Sequence, residues 1–315
     1  MLEKTRERDE IKKEFQELFA RQSAGFLVKR VVTVMAKRLN DALSEYDITL
    51  SQWVVLSCLW QKDGLPVMYI ASQLQHIGGT LSDLLTRMEK RKLLKRKRDR
   101  SDKRIWRVFL SDEGRALSAP IPALVHRMWY QSWKGFSNED LARFSLMLDQ
   151  MINNFDPSYS VCLPHGSSEV ASKYHFILPP RSPGYKLKVL QMLTTRRFAD
   201  LIEPHNVTPS HWVVLCRLWQ EDGVPVSEIG QYLEQIGGSL AGVLERMEER
   251  SLIRREKDAR DRRSYRVWLT AEGESLIYIL PQLARQVNEE ASIGISQEDQ
   301  RFFKDSLNKM LAAVQ

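Results

Sequence analysis

The chain repeats itself, and that repetition limits its architecture more than any other feature. TLSQWVVLSCLWQKDGLPV from Thr49 returns as TPSHWVVLCRLWQEDGVPV from Thr208, an offset of 159 residues. The offset holds without a gap for Trp53/Trp212, Trp60/Trp219, Asp63/Asp222, Pro66/Pro225, Gly78/Gly237, Arg87/Arg246, Asp102/Asp261 and Gly114/Gly273. It reaches Ser137/Ser296 on one side and Gly25/Gly184 on the other, with roughly half the positions identical over 48–117. Self-similarity at a fixed spacing marks a duplicated structural unit. The reading is therefore two tandem copies, 25–156 and 184–315. Residues 157–183, rich in Ser, Pro and Gly, read as a linker. Residues 1–24 read as a charged helical extension without a counterpart, with Phe15, Leu18 and Phe19 on one side.

Within each copy the periodicity changes from helical to extended. Leu27, Val31, Val34, Met35, Leu39 and Leu43 recur at three- and four-residue steps, predicting an amphipathic helix over 25–46. A second helix is expected at 50–61, ended by Asp63-Gly64, and a third at Val67–Gln75 after Pro66. Gly78-Gly79 then breaks the chain, and Thr80 is placed to cap a fourth helix. Leu81, Leu84, Leu85 and Met88 give that helix an apolar stripe, kept in the second copy as Leu240, Val243, Leu244 and Met247. Trp106, Val108 and Leu110 alternate with Arg107 and Phe109, which is strand spacing, and 99–103 reads as a hairpin tip. Ser111 and Ser137 are placed to cap two further helices. The expected fold is mainly α with small β-wings (α+β): tandem winged helix-turn-helix domains with a helical dimerisation-type domain.

Composition removes several function classes. No run approaches the 18 apolar residues of a membrane span. MLEKTRERDEIKKEF lacks the apolar core of a secretory signal, so a cytoplasmic protein is expected. There is no P-loop, no GxGxxG after a strand, no HExxH and no nucleophile elbow, so no enzyme is expected. The six histidines show no paired ligand spacing, and the three cysteines form no CxxC, so neither a metal site nor a cofactor is expected. Cys58 and Cys216 sit in apolar helical runs and read as core; Cys162 falls in the linker. The net charge of +7 favours a polyanionic partner. Its distribution is more telling, because 95–107 carries eight Lys/Arg against two Asp, and the matching 254–266 seven against three.

TRMEKRKLLKRKRDRSDKRIWRVFLSDEG and ERMEERSLIRREKDARDRRSYRVWLTAEG resemble the recognition-helix-to-wing stretch of the MarR/SlyA family of bacterial regulators. The resemblance covers both copies nearly end to end. It implies a dimer with interleaved terminal helices, two winged domains straddling double-stranded DNA, and release of DNA by small phenolic or other aromatic effectors. Family members are normally single-domain chains, so the tandem suggests an intramolecular pseudo-dimer and a monomeric chain. The sequence departs from the family pattern at Asp83 and Gly242, where a basic residue is usual. It departs again at Lys92 and Ser251, where Gly is usual, and at Arg100 and Ala259, where Pro is usual.

Candidate DNA-binding wing residues are Arg100, Asp102, Lys103 and Arg104, with Arg260, Asp261, Arg262 and Arg263 in the second copy. The resemblance sends Arg104 and Arg263 into a minor groove, with Asp102 and Asp261 holding them by charge-assisted bonds. Candidate recognition-helix residues are Thr80, Ser82, Asp83, Thr86 and Arg87, matched by Ser239 and Arg246. Ala241, Gly242 and Glu245 leave the second copy with fewer donors, and Arg87 and Arg246 have acids nearby with which to pair instead. Trp129, Tyr130 and Trp133 either line an effector pocket or belong to the core. The expected function is a ligand-responsive, sequence-specific transcriptional regulator acting on a pseudo-palindromic operator. The competing reading is a winged-helix scaffold that binds protein or an effector and reads DNA weakly.

Overall fold

The computed structural model describes residues 23–75, 81–159, 168–234, 240–258 and 264–314. In the first repeat, α1 (Ala24–Ser44), α2 (Leu50–Gln61), β1 (Leu65–Pro66), α3 (Val67–Gln75) and α4 (Leu81–Lys90) lead into β2 (Leu94–Arg98) and β3 (Trp106–Leu110). Helices α5 (Asp112–Ala116), α6 (Pro120–Ser132) and α7 (Asn138–Phe155) follow. The second repeat has α9 (Pro183–Ile202), α10 (Pro209–Gln220), β4 (Val224–Pro225), α11 (Val226–Glu234), α12 (Leu240–Glu249), β5 (Ile253–Lys257) and β6 (Tyr265–Leu269). It closes with α13 (Ala271–Ser275), α14 (Leu280–Ala291) and α15 (Gln297–Val314). Mainly helical with small antiparallel sheets, this is the α+β winged-helix architecture that the periodicities predict.

Two details differ from the sequence reading. The wing is not a lone hairpin: β1 pairs with β3, giving a three-stranded sheet of order β1-β3-β2, and β4-β6-β5 repeats it. Pro66 hides this strand from pattern reading, although at a sheet edge its missing N–H costs nothing. The 157–183 linker also holds a helix, α8 (Glu169–Tyr174), capped by the Ser168 hydroxyl, which accepts from Ala171 N at 3.0 Å. Residues 160–167 of that segment, and 1–22 of the N-terminal extension, lie outside the described residues.

The same devices build both copies. Thr49 and Thr208 cap α2 and α10 in reciprocal capping boxes with Gln52 and His211. Trp60 Nε1 donates to Gly114 O at 2.9 Å and Trp219 Nε1 to Gly273 O at 3.1 Å, so each buried indole is satisfied. The two glycines are forced by sterics: a Cβ would lie 2.0 Å from Leu93 O at Gly114 and 2.0 Å from Leu252 O at Gly273. Asp63 Oδ1 accepts from Gly64 N and Leu110 N at 3.1 and 2.8 Å, and Asp222 repeats this with Gly223 and Leu269 at 3.0 and 2.8 Å. Each Asp-Gly turn is thereby tied to the far end of its sheet.

The compact units do not coincide with the repeats. One takes in residues up to Thr33 with Leu193–Lys304, and the other takes in Val34–Met192 with Asp305 onward. Each therefore joins the winged domain of one repeat to a terminal helix segment of the other. In the unit carrying the first wing, Arg38 Nη1 donates to Val314 O at 3.0 Å and Lys309 Nζ to Gly135 O at 2.6 Å. In the unit carrying the second wing, Gly25 N donates to Asn288 Oδ1 at 3.2 Å.

Candidate nucleic-acid interface

The first wing tip is organised by Asp99, a buried carboxylate flanked by cations. Its Oδ1 accepts from Ser101 N at 2.8 Å and Asp102 N at 3.0 Å, and its Oδ2 pairs with Arg107. Hydrogen bonds from Ser101 and from Arg107 hold its carboxyl well below the usual carboxylate range. Arg107 also donates to Gly64 O at 2.8 Å, fastening the tip to the Asp63-Gly64 turn. Asp258 and Arg266 reproduce the pair at 2.6 Å, with Arg266 reaching Gly223 O at 2.6 Å. Glu89 on α4 receives Arg96 N at 2.8 Å and the Arg96 guanidinium at 2.5 Å, locking helix to wing, and Glu248 with Arg255 repeats this. Along the chain these acids count only as a few negative charges among many cations. Their signal is the offset itself, since Asp99/Asp258, Arg107/Arg266, Glu89/Glu248 and Arg96/Arg255 are all separated by 159.

Arg100, Asp102, Lys103 and Arg104 lie together and exposed on the first tip. The expected Asp102–Arg104 charge pair is not what the structure contains. Asp102 Oδ1 accepts instead from the backbone N–H of Arg104 at 2.9 Å, so it shapes the turn and leaves the guanidinium to point elsewhere. A two-residue separation favours this, because the carboxylate reaches the nearby N–H without bending a long side chain back. Arg260, Asp261, Arg262 and Arg263 lie outside the described residues.

Two ion pairs recur in both wings, and among the described residues one more is found in the second alone. Of the eight cations in 95–107, Arg96 and Arg107 pair with acids. Lys95, Lys97, Arg98, Arg100, Lys103 and Arg104 form no ion pair among the described residues. Arg98 rests over the Trp106 ring at 4.4 Å. In the second wing Arg254 pairs with Glu256 at 2.9 Å, Arg255 with Glu248, and Arg266 with Asp258. Lys257 is the remaining described cation of that stretch.

On α4, Leu84, Leu85 and Met88 are buried while Ser82, Asp83 and Arg87 are exposed and Thr86 is half-buried, the division the apolar stripe predicts. Thr86 Oγ1 donates to Ser82 O at 2.9 Å and accepts from Arg96 Nη2 at 3.3 Å. Arg87 Nε donates to the backbone oxygen of Asp83 at 3.4 Å. On α12, Arg246 is exposed, its Nη1 3.3 Å from where a Cβ on Gly242 would stand. Thr80 and Ser239 lie outside the described residues.

The aromatic trio of α6 divides in two. Trp129 and Trp133 are buried, whereas Tyr130 is 68% exposed. Trp133 meets Phe136 and Phe144 edge-on at 5.2 and 5.4 Å and stacks with Trp129 at 6.2 Å. Of the two readings open for them, these two rings follow the core reading. A cavity lies instead in the unit carrying the second wing, between Phe26, Phe198, Trp212, Cys216 and Asn288. Burial pushes the Cys58 thiol up to about 12 and raises that of Cys216, so neither is a ready thiolate. Cys162 is outside the described residues. Among the described residues no helix is long and apolar enough to cross a membrane, and no cluster could hold a metal ion.

Helices α2–α4 with β1–β3, repeated as α10–α12 with β4–β6, define a protein with two winged helix-turn-helix domains. The MarR family profile matches residues 48–106 and 207–265. Transcriptional regulator HosA of Escherichia coli O127:H6 is 33% identical over 106 residues, covering 34% of this chain and 78% of HosA. HTH-type transcriptional regulator TtmR of Methylorubrum extorquens is 36% identical over 101 residues, 32% of this chain and 52% of TtmR, so the chain spans about half that relative. A solved MarR transcriptional regulator from Methanosarcina mazei Go1 is 25% identical with a TM-score of 0.35, covering 38% of this chain and 87% of that one. The chain belongs to the MarR family, a family of transcriptional regulators and not of enzymes, and carries two MarR domains in tandem.

Proposed function

We propose that this chain is a sequence-specific DNA-binding transcriptional regulator that supplies both halves of a pseudo-dimer from one polypeptide and binds a pseudo-palindromic operator. The observation that carries this reading is the first wing, where six exposed cations form no ion pair among the described residues, beside a helix with an exposed polar edge. Such uncompensated charge suits a phosphate backbone, which releases counterions when bound. The mixed make-up of the compact units supports the single-chain pseudo-dimer, because each winged domain is completed by a helix from the other repeat. The solved repressor CouR, 28% identical to this chain, is bound to a 23-mer DNA duplex. The reading includes a small aromatic effector that changes DNA affinity by binding one DNA-competence state better than the other.

Binding to genomic fragments across a salt series tests it. Affinity should fall steeply with salt, and Arg104→Ala should flatten the log–log slope by about 0.9 for a lost phosphate contact. If Arg104 enters a minor groove, affinity should fall with less flattening. Sedimentation at low concentration should give one chain mass, 36.6 kDa. Salt-independent or absent DNA binding would favour the scaffold reading.

A further inference from the structure

The two repeats are not interchangeable where their helices meet, and the difference is one of charge. In the unit carrying the first wing, the start of α9, from the second repeat, reaches α7, from the first. Lys186 is only 5% exposed there, and its Nζ donates to Asp149 Oδ2 at 2.6 Å and to Ser145 Oγ at 2.8 Å. Ser145 and Asp149 stand one turn apart on α7, so both face the same lysine. The other Asp149 oxygen is buried with no hydrogen bond among the described residues, which leaves Lys186 to balance the charge. In the same unit α15, also from the second repeat, brings Lys309 to the first. Its Nζ donates to Gly135 O at 2.6 Å and stands 4.3 Å from the centre of the Phe136 ring.

Each of these contacts takes one member from each repeat, and neither repeat holds both members. At the 159 offset Lys186 and Lys309 match Leu27 and Gln150, while Ser145, Asp149 and Phe136 match Lys304, Asn308 and Ile295. Other contacts do not discriminate. A Cβ on Gly184 would stand 2.1 Å from the Trp129 ring, so the indole lies against bare backbone, but the matching Gly25 offers the same bare backbone. Gly25 N donates to Asn288 Oδ1, which the N–H of Gly184 could equally do.

Because both copies keep the same helices, duplication leaves open the pairing of like repeats from two chains. First with first would set Leu27 against Ser145 and Asp149, burying a carboxylate without its cation. Second with second would set Lys186 against Lys304 and Asn308, two lysines without an acid. A buried charge stripped of its partner is strongly unfavourable, whereas replacing a matched pair by apolar groups is often neutral. A pair like this therefore does more to select a partner than to strengthen the fold.

We propose that Lys186 with Asp149, seconded by Lys309 with Phe136, is a recognition code that makes each repeat accept the other and bars like repeats of two chains from pairing. This inference rests on the pseudo-dimer reading above and names the residues that select the partner.

Two charge-reversed full chains, Lys186→Glu and Asp149→Lys, test it, with one of them tagged and each refolded alone and as a mixture. The first carries two acids at this contact and the second two lysines, so each finds its opposite charge only on the other chain. The mixture should yield a tagged–untagged species of twice 36.6 kDa, exceeding the dimers of either variant alone by about tenfold or more. Both substitutions in one chain should restore the single-chain mass. If either variant is insoluble alone, coexpression of the two gives the same readout. A mixture that stays at one chain mass, or a double reversal that does not recover it, would overturn the proposal and leave the pair a stabilising contact alone. An unmodified chain that itself sediments at two chain masses would overturn the single-chain reading instead. In that case an excess of tagged–untagged dimers still supports the code, and a random mix overturns it.

Discussion

Helices α2 and α10 share most of their sequence, yet their surroundings differ. The first is buried from Gln52 to Gln61, with Gln61 Nε2 donating to Pro179 O at 2.7 Å in the segment that precedes α9. In the second, Trp212, Val213 and Cys216 stay half-buried beside a cavity. Where both wings are described they differ in one ion pair: Arg254 pairs with Glu256 on the second, whereas Lys95 and Lys97 at the matching positions of the first form none among the described residues. The two copies thus share the residues that hold the fold and differ beside the space that α10 borders. The retained residues are those with internal partners, such as Trp60/Trp219, Asp63/Asp222 and Asp99/Asp258. Those that changed, such as Trp129/Asn288, face space that a side chain fills in one repeat and leaves open in the other.

The largest expected effect comes from removing the side chains that differ. Trp129→Ala should cost about 3–5 kcal/mol in urea unfolding, the range for emptying a buried aromatic site. Asn288→Ala should cost only about 1 kcal/mol, since it removes hydrogen bonds beside an existing cavity. Equal losses would mean that the two spaces are filled alike. Next comes DNA discrimination. Thr80→Ala with Ser82→Ala should lower the preference for operator over random DNA by ~1 kcal/mol, and Ser239→Ala should lower it less. Equal losses, measured by competition binding, would remove the functional asymmetry of the recognition helices.

A pH titration sharpens the contrast between the capping boxes. His211 is fully buried, its pKa lowered from 6.5 to about 4 by burial and by Arg250 and Arg246. The fold therefore prefers neutral imidazole. The contribution of His211 is complete above pH 6.5 and is lost as pH falls through about 4. His211→Gln, which installs the residue found at Gln52, should flatten the acid loss of stability of the unit carrying the second wing. An unchanged acid transition would mean that His211 does not couple to folding. The smallest effects concern Lys92 and Ser251, both left-handed at φ 56° and 54°. That backbone costs a non-glycine residue roughly 1–2 kcal/mol, partly offset by the unfolded-state freedom of glycine, about 0.5–1 kcal/mol. Lys92→Gly and Ser251→Gly should each stabilise by up to ~1 kcal/mol, and the two gains should match within error if the turns are equivalent.

Much of each domain was legible from local pattern. Helices at 50–61 and 67–75, the strand at 106–110, and the caps at Ser111 and Ser137 all fall where spacing and capping chemistry put them. The short β1 was not legible, because two residues ending in proline carry no periodicity and pair only when β3 is beside them. The wing was legible as charge but not as chemistry. Asp99 and Glu89 looked like two acids among many cations until the structure brought Arg107 and Arg96 to them. The α6 aromatics were legible as a cluster, but whether a ring borders a cavity or fills it depends on what faces it.

The sequence by itself determined that there are two copies of one winged domain, with the same core, caps and turns, because those rest on contacts between residues close along the chain or repeated at one offset. Tertiary structure alone decided which terminal helix completes which wing, which cations are left without acids, and which of two matching spaces stays empty. Those outcomes depend on pairs such as Arg38 with Val314 and Trp129 with Gly184. Their members lie far apart in sequence, and no local propensity or periodicity relates them.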